Sequence, residues 1–469
     1  METNSRRQVL IILFLGVLMG ALDIAIVGPA LPAIGQDFGI DERGQSWLFT
    51  SYVLLNLTGA PLMAKLSDRY GRRNVYLLDI ALFGAGSLLV ALAPSYWLLL
   101  VGRAAQGLGA GGVFPVASAV IGDTFPEDKR GSALGLIGAV FGISFIIGPI
   151  LGGILLLFSW KWLFLINVPF ALFTIWMAAR KLPTSRPATR QPFDAMGMLV
   201  LTVMLSGMTV GISQLETGDL VSSLLSWQVG PFLLLTLICI PLFIWREKRA
   251  SDPIIHPRLL GTRQMLLVNG LSIGAGAGEG AMVFLPAMAV ASFAITKSTA
   301  SFLLMPVVLA MAVGSPMAGR YLDKFGSKKV LLFGTTATTL GIFVLALLGD
   351  QLWAFIVAEM IIGLGLGGLL GAPLRYILLA EASLEDRAAA QGMLPVSSSV
   401  GQLLSGALVG AVADSLGGSA SGYKAAFLCV AIVVLVMVFL ALQLKNQQQE
   451  RADIQATKEL ERKLALNQP

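Results

Sequence analysis

Histidine, cysteine and charge are all scarce in this chain, and each scarcity closes off a class of function. The single histidine, His256, lies in a Pro-flanked loop. That excludes a His-rich metal site and a nucleophile–histidine–acid triad, which needs an imidazole beside its nucleophile. The two cysteines, Cys239 and Cys429, each sit inside an apolar stretch. A thiol there is core filler, so neither a disulfide framework nor thiol chemistry follows. No glycine-rich phosphate loop of the nucleotide-hydrolase type is present, and ATP-driven work therefore lacks its machinery. No enzyme activity, metal or cofactor is expected. Charged residues make up only 13% of the 469. The first apolar stretch runs past Val27 with no small-residue cleavage site before Asp23, so no removable leader is expected.

Apolar residues fill the space that charge leaves. They make up 56% of the chain, with 52 glycines and a mean hydropathy of +0.79. Repeated apolar stretches near the length of a bilayer-crossing helix place the chain in the membrane. Fourteen spans are predicted. The first six cover about 8–30, 46–65, 75–93, 97–121, 132–157 and 162–179. Two follow at about 195–215 and 227–245. The last six cover about 265–291, 300–319, 329–348, 352–379, 389–413 and 423–444. An even number puts both ends on one side. Of the 33 lysines and arginines, Arg43, Lys161, Lys297 and Lys424 fall on the opposite side, Arg103 and Arg375 lie within helices, and the rest share the side of the termini. The positive-inside rule makes that side cytoplasmic, in a multi-pass protein of the plasma (inner) membrane. The net charge of +6 is spread over these loops and forms no single patch, which argues against nucleic acid as a partner.

Four ionisable residues interrupt the apolar runs in matching pairs. Asp23 and Glu279 are 256 positions apart, and so are Arg103 and Glu359. A charge at the centre of a membrane helix opposes insertion by roughly 2.5–3.5 kcal/mol, so such residues read as functional. The flanking sequence repeats as well. Asp68-Arg69-Tyr70-Gly71-Arg72-Arg73 matches Asp323-Lys324-Phe325-Gly326-Ser327-Lys328. The run Gly107 to Gly112 matches Gly363 to Gly368. Residues 1–180 and 265–445 therefore read as two six-helix halves. Residues 181–264 supply linkers and two extra helices, and 446–469 a polar cytoplasmic tail. A duplicated fold with charges at equivalent depth suits a central polar pathway.

These motifs carry a resemblance. Over about residues 10–440 the chain resembles a major facilitator superfamily transporter, and more narrowly the fourteen-helix drug:proton antiporter branch. The resemblance implies an all-α membrane protein whose first, fourth, seventh and tenth core helices line a central cavity. Asp23, Arg103, Glu279 and Glu359 fall on those helices. The loop of Asp68, Arg69, Gly71, Arg72 and Arg73, with Arg130 as a partner for Asp68, resembles the family's cytoplasmic gate. Asp323, Gly326 and Lys328 repeat it. Gly135, Ser144, Gly148, Pro149, Gly152 and Gly153 resemble the antiporter motif of the fifth helix. Its small residues allow close helix approach, and its Gly-Pro pair allows a bend. Leu22-Asp23 through Ala30-Leu31-Pro32 resembles the first-helix motif of the same branch. Ala64 stands where the gating motif usually begins with Gly, and Ala25 and Gly28-Pro29 replace the usual Thr and Asn-Val.

The function implied is a proton-coupled antiporter that exports drugs or other amphipathic or cationic organic compounds by alternating access. Its partners are a small-molecule substrate, protons and the lipid bilayer. The four cavity residues sum to −2 when all are ionised, which favours protons and cations over anions. A carboxyl in a low-dielectric cavity prefers its neutral form and can load and release a proton. Asp23 and Glu279 are expected to do this, with Arg103 and Glu359 as a polar pair nearer the outside. Asp79 is expected to cap the gating loop's charges, and Arg375 and Glu381, roughly 9 Å apart along their helix, to belong to a cytoplasmic gate. Asn56, Gln106 and Asn269 could be ligands or helix–helix glue. Two alternatives stay open: a lipid, lipid-linked or metabolite cargo on the same fold, and a receptor or scaffold that moves nothing.

Overall fold

A computed structural model describes residues 3–184, 194–216, 219–250, 253, 261–381 and 387–450. His256, most of both linkers and the tail from 451 lie outside the described residues, as do the side chains of Arg130 and Asp323 and the surroundings of Gly135. No strand occurs among the described residues. The first predicted half holds α1 (Thr3–Phe38), α2 (Glu42–Tyr70), α3 (Arg72–Leu92), α4 (Tyr96–Thr124), α5 (Glu127–Leu155), α6 (Lys161–Leu165) and α7 (Asn167–Lys181). Then come α8 (Ala195–Ser213), α9 (Leu220–Leu225) and α10 (Gly230–Glu247). The remainder holds α11 (Arg263–Met282), α12 (Leu285–Phe293), α13 (Lys297–Phe302), α14 (Met305–Phe325), α15 (Ser327–Leu348), α16 (Leu352–Leu370), α17 (Ala372–Glu381), α18 (Arg387–Ser415) and α19 (Ala420–Leu442). Among the described residues, twelve helices are long and apolar enough to cross a membrane. A thirteenth span arises if α11 and α12, bent by 41°, are taken together.

Helix starts follow local chemistry. Asp41 caps α2 by accepting from the Gly44 amide at 2.7 Å, and Asp194 caps α8 by accepting from the Gly197 amide at 3.0 Å. Such a cap satisfies an amide that the helix itself leaves unpaired. Four predicted single spans are divided: α6/α7, α11/α12, α13/α14 and α16/α17. Each second piece has a proline within its first three residues: Pro169, Pro286, Pro306 or Pro373. A proline lacks the amide proton and its ring crowds the carbonyl four residues back, so the chain restarts there. Pro29, Pro61, Pro115 and Pro149 lie inside continuous helices. Proline alone therefore does not set the breaks.

The chain forms two compact units. The first comprises Met1–Ile254, Gly280–Met305 and Leu403–Ala426. Within it, α4 packs on α2 and α3. Gly107 and Gly111 set α4 against the carbonyls of Tyr52 and Asn56 on α2, and Gly109 sets it against the Asp79 carbonyl on α3. Side chains at these positions would collide with backbone, so glycine spaced by four permits backbone-to-backbone contact. The second unit comprises Ile255–Glu279, Pro306–Gln402 and Phe427–Pro469. It repeats the device. Gly363 and Gly367 on α16 face the Val307 and Met311 carbonyls of α14, and Gly365 faces Thr338 of α15.

The pair α8 and α10 pack on each other, and α8 also packs on α2. Arg246, at the end of α10, donates to Asp194 at the start of α8 at 2.8 Å. At the other end of the pair, Arg43 donates to Gln214 at 3.2 Å and forms an ion pair with Asp414 at 3.2 Å.

Candidate functional site

The first unit encloses a polar cluster in an apolar bundle. Asp23 on α1 and Arg103 on α4 are both fully buried. Arg103 Nη1 donates to Asp23 Oδ2 at 2.6 Å and to Gln106 Oε1 at 2.9 Å, and its Nε donates to the Leu48 carbonyl at 2.9 Å. Gln106, one turn on from Arg103, donates to Asp23 Oδ1 at 3.0 Å and to Ser87 Oγ at 2.7 Å. Residues three apart on a helix share a face, so α4 presents the cation and the amide together. Both carboxylate oxygens of Asp23 are thus met. The guanidinium also lies 4.4 Å from the centroid of the Tyr52 ring and 5.7 Å from that of Phe164. Ring faces attract a desolvated cation.

Arg103 therefore pairs with Asp23, not with the expected Glu359. The reason is packing: α1 and α4 belong to one unit and touch. Depth from the helix ends, read along the sequence, does not report that contact.

In the second unit, Glu279 on α11 is half-buried and meets α18. Gln402 Nε2 donates to its Oε2 at 2.9 Å and Ser398 Oγ at 3.5 Å. The crossing is tight: a Cβ on Gly276 would overlap the Ser398 carbonyl, and one on Gly401 the Ile273 carbonyl. Asn269 belongs to the same stripe of α11 and accepts from Ser397 at 2.8 Å, while Ser272 donates to the Leu394 carbonyl at 2.9 Å. Asn269 is therefore helix–helix glue. Glu359 on α16 is fully buried, and neither of its oxygens has a hydrogen-bond partner among the described residues.

The loop between α2 and α3 turns at Gly71, whose φ of 93° favours glycine. Arg72 pairs with Asp68, donates to Ser67 Oγ at 2.7 Å and reaches Asp123 of α4 at 3.3 Å. Arg73 donates to the Ala179 carbonyl at the end of α7, and Arg69 lies over the Tyr70 ring. The repeated loop turns at Gly326, with φ 80°. Ser327, at the start of α15, donates from both its amide and its hydroxyl to Glu450. Glu381 pairs with Lys445. Asp79, expected to cap the gating charges, makes no hydrogen bond among the described residues.

The fifth-helix motif is a contact surface. A Cβ on Gly148 would overlap Ala25 of α1, and one on Gly152 would stand 2.6 Å from Ser301 Oγ. Ser301 donates to the Pro149 carbonyl at 2.8 Å and Ser298 to the Gly153 carbonyl at 2.6 Å, which ties α13 to α5. Ser87, Tyr52, Phe164, Ser398 and Gln402 were not expected at these clusters from the sequence. A polar residue within an apolar helix was the signal available for Ser87 and Gln402. The two rings look like ordinary core.

The chain belongs to the Major Facilitator Superfamily, whose model matches residues 13–273 and 265–468. It is 33% identical over 411 residues to the uncharacterized MFS-type transporter YfiU of Bacillus subtilis, covering 86% of this chain and 79% of that one. It is 32% identical over 403 residues to Multidrug resistance protein 3 of the same organism, covering 82% and 75%. With Multidrug resistance protein Stp of Mycobacterium tuberculosis it shares 28% over 408 residues, covering 85% and 74%. Among solved structures, the peptide transporter POT in complex with sulfate superposes with a TM-score of 0.68 at 15% identity, over 93% of this chain and 94% of that one. The nucleoside transporter NupG gives 0.64 at 14%, over 93% and 99%. At such identities these two establish the fold alone.

Proposed function

We propose that the chain is a proton-coupled antiporter that exports drugs or other amphipathic, cationic organic compounds by alternating access. The observation that carries this reading is the sealed Asp23–Arg103–Gln106 cluster. A charged pair buried within membrane helices opposes insertion and is retained where it serves a pathway. The names of the multidrug resistance relatives support the cargo class. Glu279, held by neutral Gln402 and Ser398, is the carboxyl that exchanges its proton, and Asp23 gives up Arg103 when cargo or a proton arrives. Glu359, fully buried with neither oxygen partnered among the described residues, is a second carboxyl able to hold a proton. The loops of Asp68, Arg69, Gly71, Arg72, Arg73 and Arg130, and of Asp323, Gly326 and Lys328, act as cytoplasmic gates. Gly135, Gly148, Pro149, Gly152 and Gly153 form the surface along which α5 slides.

The fourteen-helix reading is supported by the twelve long apolar helices, the bent pair α11/α12 and the 29-residue α5. Both ends then lie in the cytoplasm of a cell whose plasma membrane the chain crosses, with 1–180 and 265–445 as the two moving halves. Proteoliposomes with an imposed pH gradient test the reading: a cationic dye should move against its gradient, and Asp23→Asn and Glu279→Gln should each lose that drive. Full transport in both variants would sink it. No change in susceptibility to any cation or dye, in cells stripped of their own pumps, would turn the reading toward a lipid or metabolite cargo.

A further inference from the structure

The seam between α3 and α4 holds a carboxyl that the Asp23 cluster does not use. Asp79 is fully buried on α3, and neither oxygen has a hydrogen-bond partner among the described residues. It lies against Gly112 of α4, where an added Cβ would overlap the carboxyl group. Among the described residues Tyr76 is the titratable side chain facing it, and the Tyr76 hydroxyl already donates to the Ile12 carbonyl at 2.8 Å. The cations at the start of α3 are engaged elsewhere: Arg72 with Asp68 and Asp123, and Arg73 with the Ala179 carbonyl.

The other sequence half supplies the control. The step that carries Gly71 to Gly326 carries Asp79 to Gly334, and the step that carries Arg103 to Glu359 carries Gly112 to Gly368. In that half the two glycines meet directly: a Cβ on Gly368 would stand 3.7 Å from the Gly334 Cα. The same seam closes there with no side chain in the slot, so packing does not require a carboxyl. A carboxylate that leaves water for an apolar slot without a partner is strongly disfavoured, and its neutral acid is not.

We propose that Asp79 is a proton-binding site separate from the Asp23 cluster. It carries a proton on one carboxyl oxygen while the α3–α4 seam is closed, as it is here, and gives that proton to water when the seam parts. No other bond forms or breaks. The site does not require protons to drive transport, so it can hold or fail independently of the antiport reading.

Infrared difference spectra of the full chain in lipid nanodiscs test it. At neutral pH the wild type should show one protonated-carboxyl band per chain that Asp79→Asn lacks. The band should persist when Asp23→Asn and Glu279→Gln are introduced together. Gly112→Ala, whose methyl would press on the carboxyl, should shift the band and serves if Asp79→Asn does not fold. Loss of the band with dye transport intact supports a proton site apart from the coupling carboxyls. Unchanged carboxyl bands in both Asp79→Asn and Gly112→Ala, or a wild-type spectrum with Asp79 ionised at neutral pH, would overturn the proposal.

Discussion

The Asp23 cluster and the Glu279 cluster occupy matching places in the sequence repeat, yet they solve the problem of a buried acid differently. Asp23 is neutralised by a cation, has both oxygens met and is sealed. Glu279 is half-buried and, among the described residues, is met by the Gln402 amide and the Ser398 hydroxyl. Duplication has preserved where the acids sit and not what answers them. An ion pair fixes a charge in place, whereas an acid with neutral partners can change its protonation without stranding an opposite charge.

The largest effect should follow from separating the ion pair. Arg103→Met leaves Asp23 buried without its cation, and should lower stability by about 3–5 kcal/mol in reversible denaturation in detergent. Adding Asp23→Asn should restore much of that loss. If the double variant is no more stable than Arg103→Met, the pair is not the unit described here. The scaffold, by contrast, should respond alike in both repeats. Gly71→Ala and Gly326→Ala each force a side chain into positive φ, and each should cost about 1–3 kcal/mol. A large effect at one turn alone would show that the repeats differ in framework as well as chemistry. The smallest change is expected from Glu279→Gln, about 0.5–1.5 kcal/mol, because its partners are neutral hydrogen-bonding groups. A loss there as large as that of Arg103→Met would erase the contrast between the two clusters.

The all-helical framework was legible in the sequence because apolar run length reports it directly. The glycine runs 107–112 and 363–368 turned out to be helix seams of the same design. The divided spans were not legible, since Pro286 and Pro306 restart a helix while Pro29 and Pro149 do not. The difference depends on what neighbouring helices offer the freed backbone groups. The ionisable residues within the helices, fully buried Asp23, Arg103 and Glu359 and half-buried Glu279, were legible for the same reason that makes them costly. Their pairing was not. Arg103 reaches Asp23 because α4 crosses α1, and a contact across 80 positions leaves no trace in local pattern.

The helix pair α8 and α10 closes on itself through Arg246 and Asp194. The chain therefore departs from and returns to one spot. Such an excursion is anchored at its own base. A lineage could add or shed the hairpin in one step, and the anchor most exposed to that step is Arg43, whose hold on Gln214 would go while its grip on Asp414 stayed.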